Sequence, residues 1–397
     1  MPKKKNMVRE DGRYQVHVYL GRDENGKRKY KYVYGKNQKE ADEKALQLRL
    51  SLRKGVDITA ERDSFEDWAT RWKKIKQVEV SAGRMLTYQC CLDKFNRLNP
   101  IPISKIRTAD FQEVIMELAV QNPKTKKPSA KKTLEGIKSV AVQICQLAVE
   151  NRVMDYNPAI AVKIPAAPPP ATKRALTKEE QQWIIDTPHR AQIAAMIMLF
   201  AGLRRGELLA LTWRDIDLEE RTIRINKSVE MINGAPHLKQ GAKTEAGNRV
   251  VDIPIILADF LAAQPKKDLL VFPSAKGRLM SDSGWKRVWN SYLADLNLKY
   301  GDFSHSIHGA PKSKFDPHGV EFVIPRFTAH WLRHTYATIL YFAGVDILTA
   351  KEQLGHADVK TTMEIYTHLD REFKRKSIHK LDEYLSENQQ IYCNAQK

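Results

Sequence analysis

The sequence of 397 residues is poor in cysteine and has no long uncharged apolar run. Its four cysteines, at 90, 91, 145 and 393, form no Cys-x-x-Cys pair, and the adjacent pair at 90 and 91 does not suit a shared zinc site. The longest uncharged apolar run, 193–203, is too short to span a bilayer. No apolar stretch follows the basic N-terminal residues, so we expect no secretory signal and no membrane segment. A reducing cytoplasm fits the cysteines best.

The chain has fewer acidic than basic residues, and the acidic residues are scattered along the sequence. There are 66 lysines and arginines against 47 acids, a formal net charge of +19. A polyanion is therefore the expected partner and nucleic acid the first candidate, although basic proteins of ribosomes or membrane surfaces carry similar charge. A metal-dependent transposase or nuclease would need clustered carboxylates to hold two metals. The sequence therefore favours neither a metal site nor a bound cofactor.

Residues 1–60 are the most basic segment, with 16 lysines and arginines against 8 acids. Residues 14–20 and 29–34 alternate with period two, as strands do, and an Asp-Glu-Asn-Gly turn at 23–26 separates them. Residues 38–52 carry apolar positions at helical spacing. We predict a small sheet with a packed helix. The arginine, lysine and tyrosine side chains of its strands suit nucleic acid, and a merely solvated hairpin face is the alternative.

Residues 63–160 are predicted to be all-helical. Ser64 and Asp67 have the spacing of a capping box. The apolar residues that follow at helical spacing are expected core positions: Phe65, Trp68, Trp72 and Ile75. Further helices are predicted over 84–98, 108–120 and 129–151.

Three consecutive prolines at 168–170 mark a stiff linker over 163–176. A helix restarts at the capping box of Thr177 and Glu180. The rest, 177–386, reads as one unit with strands in its middle, at 221–225 and 249–253, and a tail follows over 387–397. The sequence predicts a multidomain α+β protein with an N-terminal sheet and helix, a helical second domain, and a mainly helical third domain with a small antiparallel sheet.

The third domain carries arginine, lysine, histidine and tyrosine in four short stretches, without a cluster of carboxylates. The candidate catalytic residues are Arg204, Lys243, His330, Arg333, His356 and Tyr366. A phosphodiester transition state carries its charge on non-bridging oxygens, which arginines bind bidentately. Histidine adds donors or moves protons, and lysine can protonate a leaving oxygen. Tyrosine is an oxygen nucleophile, so fixed cations around it permit a covalent phosphotyrosine step without a metal.

These stretches resemble motifs of the tyrosine recombinase (lambda-type integrase) family. Gly-Leu-Arg-Arg-Gly-Glu-Leu at 202–208 is similar to the family's first arginine box. His330-x-x-Arg333 is similar to the family's second box. Leu-Gly-His at 354–356 and Thr-Thr…Tyr-Thr-His at 361–368 are similar to the stretch that leads from that box to the nucleophile. The three-part layout is closest to integrases of conjugative transposons and integrative elements of Gram-positive bacteria.

The resemblance implies a role for each candidate residue. Arg204 and Arg333 would clamp the scissile phosphate, His330 and His356 would support the same charge, and Tyr366 would attack.

The general acid is less sharply defined by the resemblance. Lys243 matches the family's hairpin lysine. Lys239 is the weaker alternative, because it does not precede the Thr-x-x-Gly-x-Arg pattern.

The resemblance further implies an integrase that inserts and excises a mobile element in the bacterial cytoplasm, at the nucleoid. Residues 1–60 would bind arm-type DNA sites, 61–162 would bind the core site, and the enzyme would act as a homotetramer on double-stranded DNA. It would use no metal, no ATP and no cofactor. An excision factor and a host DNA-bending protein are further partners that the sequence leaves open.

Two segments and two rival functions stay open. Residues 299–326 resemble an insertion without an assigned role, and a predicted helix at 372–385 could pack on its own domain or on a neighbouring subunit. A type IB topoisomerase-like strand transferase would share the chemistry, and a non-catalytic DNA-binding regulator would share the charge.

Overall fold

The structure is a computed structural model that describes residues 7–8, 10–22, 26–53, 62–166, 174–241, 247–306, 311–316, 320–360 and 362–363. The chain divides into two compact units, Met1–Pro170 and Ala171–Lys397. The domain boundaries predicted from the sequence stay predictions. Among the helices of the described part, none combines the length and the apolar character that a membrane crossing requires.

The N-terminal part of the first unit is a three-stranded antiparallel sheet with one helix. Its elements are β1 (Met7–Val8), β2 (Tyr14–Arg22), β3 (Arg28–Gly35) and α1 (Gln38–Arg53), with strand order β1-β2-β3. The small residues Ala41 and Ala45 of α1 are buried, as is Val18 of β2, so the helix packs closely on the sheet. Tyr19 and Tyr32 stay half-exposed on the strands. The predicted sheet and helix are confirmed.

Residues 62–166 are helical, as predicted. The helices are α2 (Phe65–Glu79), α3 (Ala82–Leu92), α4 (Thr108–Val120) and α5 (Lys131–Glu150), with 3₁₀ helices at Asp93–Leu98 and Ile103–Lys105. The rings of Phe65, Phe95 and Phe111 pack edge to face at centroid distances of 5.6 to 5.8 Å, an arrangement that aromatic quadrupoles favour. Ile75 is 46% exposed, so the core face of α2 ends one turn earlier than its spacing predicts.

The second unit contains seven α-helices in its described residues, and a 3₁₀ helix at Trp213–Asp215. The α-helices are α6 (Lys178–Ile185), α7 (Gln192–Phe200), α8 (Arg205–Ala210), α9 (Ile255–Ala262), α10 (Asp282–Tyr300), α11 (Ala329–Phe342) and α12 (Ile347–Leu354). The capping box of Thr177 and Glu180 begins α6, as predicted. Helix α7 is apolar after its first residue, Gln192, and residues 193–199 are buried, with α11 packed against the helix. This buried helix leads directly into the first arginine motif.

The described residues between α8 and α9 form five short strands. They are β4 (Ile216–Asp217), β5 (Thr222–Ile225), β6 (Lys227–Ile232), β7 (Ala235–Gln240) and β8 (Arg249–Asp252). Strands β4, β5 and β8 form one antiparallel sheet, and β6 and β7 form a separate hairpin. Ile223 of β5 pairs with Val251 of β8, and both are fully buried. The strand pair predicted at 221–225 and 249–253 is confirmed, and it fixes Arg249 at the start of β8.

Helix α10 holds the segment that precedes α11. Asn297 is fully buried, and its side-chain nitrogen donates to the carbonyl oxygen of Glu321 at 2.9 Å. Its side-chain oxygen accepts from the backbone N–H groups of Val323 (2.9 Å) and Ile324 (3.1 Å). The end of the predicted insertion is therefore pinned to α10, and residues 299 and 300 belong to α10 itself.

Several predicted features lie outside the described residues. They are the turn residues 23–25, the proline run at 168–170, Lys243, Tyr366, and the helix predicted at 372–385.

We expect Asn297→Ala to loosen residues 321–327 by about 2 kcal/mol, because the N–H groups of Val323 and of the buried Ile324 lose their acceptor and the carbonyl of Glu321 loses its donor. Hydrogen exchange in this segment, followed by mass spectrometry, should accelerate about thirtyfold. Gln182→Ala is the control, since Gln182 donates to Asp186 on an exposed helix face. Unchanged exchange in the Asn297 variant would contradict the pinning role.

Candidate active site

The first arginine of the site follows a tight turn between α7 and α8. Gly202 has a φ of +63°, a left-handed conformation that glycine adopts without steric cost. A Cβ at this position would overlap the ring of Tyr336, so the turn lies directly against α11. Arg204 is the N-cap residue of α8, and its backbone N–H donates to Oε2 of Glu207 at 2.9 Å. The motif therefore holds Arg204 at a fixed point beside α11.

Three consecutive carbonyl oxygens at the C-terminal end of α12 each accept a hydrogen bond from a different arginine. The pairs are Arg249 Nε to Gln353 (3.1 Å), Arg333 Nη2 to Leu354, and Arg204 Nη2 to Gly355 (2.8 Å). The last carbonyls of a helix have no partner within the helix, and they carry the negative end of its dipole. We call Arg204, Arg249 and Arg333 the arginine cluster. Each of them satisfies one of these acceptors.

A buried carboxylate offsets the positive charge of the arginine cluster. Glu207 accepts hydrogen bonds from Nη1 of Arg204 (2.7 Å) and from Nη1 and Nη2 of Arg249 (3.2 and 3.0 Å). Burial acts to raise the pKa of Glu207, but the hydrogen bonds and charge of Arg249, with those of Arg204, outweigh it and hold this pKa below its usual range. Glu207 is therefore ionised at neutral pH.

Arg333 is a buried member of the arginine cluster, at 4% exposure. Its Nη1 donates to the carbonyl oxygen of Gly202 at 2.5 Å, which ties α11 to the turn before Arg204. Burial, together with the charges of Arg204 and Arg249, lowers the pKa of the Arg333 guanidinium to about 9. A group with that pKa is still protonated at neutral pH, so Arg333 keeps its charge inside the protein.

In the described part of the chain, two cavities are lined by members of the arginine cluster. His330 is exposed and lies one helical turn before Arg333 on α11. Together with Arg204 and Arg333 it lines a cavity of about 580 Å³, whose walls also include residues of α10. Arg204 also lines a second cavity of about 410 Å³ with Glu207 and Gly355. The Arg204 side chain, at 44% exposure, can therefore reach a ligand while it holds α12.

His356 follows Gly355, whose φ is +60°. A Cβ at Gly355 would come within 2.7 Å of Nη1 of Arg249, so glycine is needed where α12 meets the arginine cluster. Nδ1 of His356 lies 2.9 Å from Oγ1 of Thr362. Burial and then the positive charges of the arginine cluster and His330 lower the pKa of His356 to about 4. His356 is therefore neutral at neutral pH.

The structure brings together four of the six predicted residues. The four are Arg204, His330, Arg333 and His356.

The other two, Lys243 and Tyr366, lie outside the described residues, so their roles stay predictions. The alternative lysine, Lys239, lies in β7 and forms an ion pair with Glu230 at 2.5 Å. Among the described residues, no group of three or more histidines, cysteines and acids is placed to hold a metal ion.

Sequence reasoning missed three residues that hold the site together: Glu207, Arg249 and Thr362. Glu207 lies three residues after Arg204, which is the spacing of a capping-box acid and could have marked it. Arg249 ends the Thr-x-x-Gly-x-Arg pattern at 244–249. Nothing in the spacing of Thr362 indicates its bond to His356.

We expect the free energy of unfolding to fall as the pH drops from about 6.5 to about 4. In this window the unfolded chain protonates His356, whose ordinary pKa is 6.5, while the folded protein keeps it neutral. The loss should be about 1 to 2 kcal/mol, because the ring is only half-buried. Urea unfolding across the window measures it.

Two variants isolate the contribution of this ring. His356→Gln should flatten the pH dependence, whereas His237→Gln, at an exposed position of β7, should leave it unchanged. An equal slope in the wild type and in the His356 variant would contradict the assignment.

The chain is similar in sequence to known proteins. Residues 174–372 match the phage integrase family. The chain is 26% identical over 403 residues to a protein named tyrosine recombinase XerC-like, from Caldanaerobacter subterraneus subsp. tengcongensis, which covers 96% of this chain and 99% of that protein.

Two solved structures share the fold. The Tn1549 transposon integrase in complex with a circular intermediate DNA superposes with a TM-score of 0.60 at 18% identity, over 80% of this chain and 99% of that one. A lambda integrase tetramer bound to a Holliday junction superposes with a TM-score of 0.53 at 16% identity, over 94% and 98%. These likenesses confirm the predicted combination of helical domains with small antiparallel sheets.

The family match spans half of the chain and includes both arginine motifs. It confirms the resemblance drawn from the sequence. The chain belongs to the phage integrase family, and it is therefore a tyrosine recombinase of mobile elements, a DNA strand-transferring enzyme that needs neither metal nor ATP.

Proposed function

We propose that this chain integrates and excises a mobile element by cutting and rejoining double-stranded DNA through a covalent bond to Tyr366. The observation that carries the proposal is the cavity of about 580 Å³ in which Arg204, Arg333 and His330 meet. Two guanidinium groups and an imidazole around one cavity suit a phosphodiester, whose transition state gathers negative charge on its non-bridging oxygens.

Arg204 and Arg333 have different roles in this scheme, because they differ in burial. Arg204 is partly exposed and meets the phosphate directly in this scheme. Arg333 is buried and binds two carbonyl oxygens through its Nη atoms. A guanidinium has five N–H groups, so Arg333 still has donors for the cavity that it lines. Arg333 stays protonated at neutral pH although its pKa is lowered to about 9, so the buried part of the clamp keeps its positive charge.

The proposed chemistry conserves the phosphodiester bond. Oη of Tyr366 attacks phosphorus while the bond from phosphorus to the 5′ oxygen breaks, which leaves a 3′-phosphotyrosyl link and a free 5′-hydroxyl. The net proton transfer runs from the tyrosine hydroxyl to the 5′ oxygen, and Lys243 is the proposed donor to that oxygen. In the second step a 5′-hydroxyl of the partner strand attacks phosphorus and releases Tyr366.

The wider assembly is proposed by analogy with the two superposed integrases. One is bound to a circular intermediate DNA, and the other is a tetramer on a Holliday junction. We assign residues 61–162 to core-site binding and residues 1–60 to arm-type sites, where half-exposed tyrosines and the excess of cations favour DNA. The same scheme places a homotetramer at the nucleoid in the bacterial cytoplasm. An excision factor and a host DNA-bending protein would be accessory partners.

We expect Tyr366→Phe to bind DNA normally and to form no covalent adduct, because phenylalanine lacks the attacking oxygen. A core-site substrate with a nick near the cleavage point traps the adduct, which denaturing gel electrophoresis resolves. Tyr32→Phe is the matched control, since Tyr32 is an exposed tyrosine of the segment assigned to arm-type sites, which a core-site substrate lacks, and should leave the adduct unchanged.

Each other result of that assay has a defined meaning. An adduct in the Tyr366 variant would refute the nucleophile. No adduct in the wild type on its native DNA would favour a non-catalytic regulator. Relaxation of supercoiled DNA without pairing of two sites would favour a topoisomerase-like enzyme.

The general acid can be separated from its alternative. We expect Lys243→Ala to slow cleavage by about a hundredfold or more. A substrate with a 5′-thiol leaving group should restore much of the rate, because a thiolate leaves without protonation. Lys239→Ala should stay near the wild-type rate. Rescue of the Lys239 variant instead would move the assignment to Lys239.

A further inference from the structure

Thr362 links the catalytic centre to the segment that carries the proposed nucleophile. Its side chain is fully buried, and Oγ1 lies 2.9 Å from Nδ1 of His356. Thr362 precedes Tyr366 by four residues.

The hydrogen bond of Thr362 bears on which tautomer of His356 the site contains. His356 is neutral at neutral pH, because burial and the charges of the arginine cluster and His330 lower its pKa to about 4. A neutral imidazole has one N–H and one lone pair, on different nitrogens. The partner of one ring nitrogen therefore sets the chemistry of the other.

The phosphate distinguishes between the two tautomers. Phosphate oxygens accept hydrogen bonds and donate none, so His356 can bind one only through an N–H. If the Thr362 hydroxyl donates to Nδ1, the hydrogen lies on Nε2 and is available to the phosphate. If Nδ1 donates to Thr362 instead, Nε2 presents a lone pair that repels the phosphate.

We propose that Thr362 is a positioning residue whose hydroxyl donates to Nδ1 of His356 and holds the tautomer with hydrogen on Nε2. The proposal rests on the proposed function for its catalytic consequence, whereas the tautomer is a property of the free protein. Thr362 touches neither DNA nor the reacting atoms in this scheme and acts through His356.

The tautomer is tested first, on the full-length protein without DNA. Nitrogen-15 NMR of histidine-labelled protein distinguishes a protonated ring nitrogen from one with a lone pair, and His356→Gln assigns the signals. We expect the wild type to show hydrogen on Nε2 of His356 at neutral pH. Hydrogen on Nδ1 would overturn the proposal without any variant at position 362.

The catalytic consequence is tested with Thr362→Val, which keeps the volume and removes the hydroxyl. We expect mixed tautomers at His356 and adduct formation about tenfold slower, as for the loss of one hydrogen bond in the transition state. Thr362→Ser keeps the hydroxyl and should restore both the single tautomer and the rate. The control is Thr338→Val, since Thr338 is also buried but donates only within α11, to the carbonyl oxygen of His334.

The outcomes separate the two proposals. Wild-type tautomer and wild-type rate in Thr362→Val would overturn the positioning role. If the valine variant does not fold, a serine variant that folds and lacks either the tautomer or the rate would also overturn it. A wild type that forms no adduct on its native DNA would refute the proposed function, while the NMR result would still decide the tautomer.

Discussion

The candidate active site depends on the capping of one helix end by three arginines. Guanidinium groups held this close repel one another, and the carbonyls of residues 353–355 together with the Glu207 carboxylate supply the compensating negative charge. Carbonyls at a helix end are fixed by the backbone, so they hold each guanidinium more firmly than a mobile acid would. The positive charge is therefore assembled in the protein alone, which reduces the reorganisation that a phosphodiester transition state would otherwise require.

The arginine cluster draws on segments that are far apart in the sequence. The turn before α8, the start of β8, the middle of α11 and the end of α12 each contribute one part. Two glycines permit this convergence, because a side chain at Gly202 would strike Tyr336 and one at Gly355 would strike Arg249. Each of these glycines lies where two elements touch. The motifs therefore supply the glycines that let the elements pack closely, as well as the candidate catalytic side chains.

Much of the fold could be predicted from the sequence, because helical periodicity and caps are local signals. Helix α4 has the predicted bounds, whereas the helix predicted over 84–98 is α3 followed by a 3₁₀ helix, a change of winding that periodicity does not reveal. The four described candidate residues converge as the motifs implied. The contacts that hold them could not be predicted, because bonds such as Arg204 to the carbonyl of Gly355 join side chain to backbone across about 150 residues and leave no pattern.

Asn297 holds residues 321–324, so the position of α11 does not depend on the length of the loop that precedes them. The chain leaves α10 after Tyr300 and returns to the same helix, so both ends of the loop are set by α10. Closing a longer loop costs little additional entropy. This loop is therefore a suitable insertion site for a fluorescent reporter or an added recognition module, because His330 would keep its place in the site.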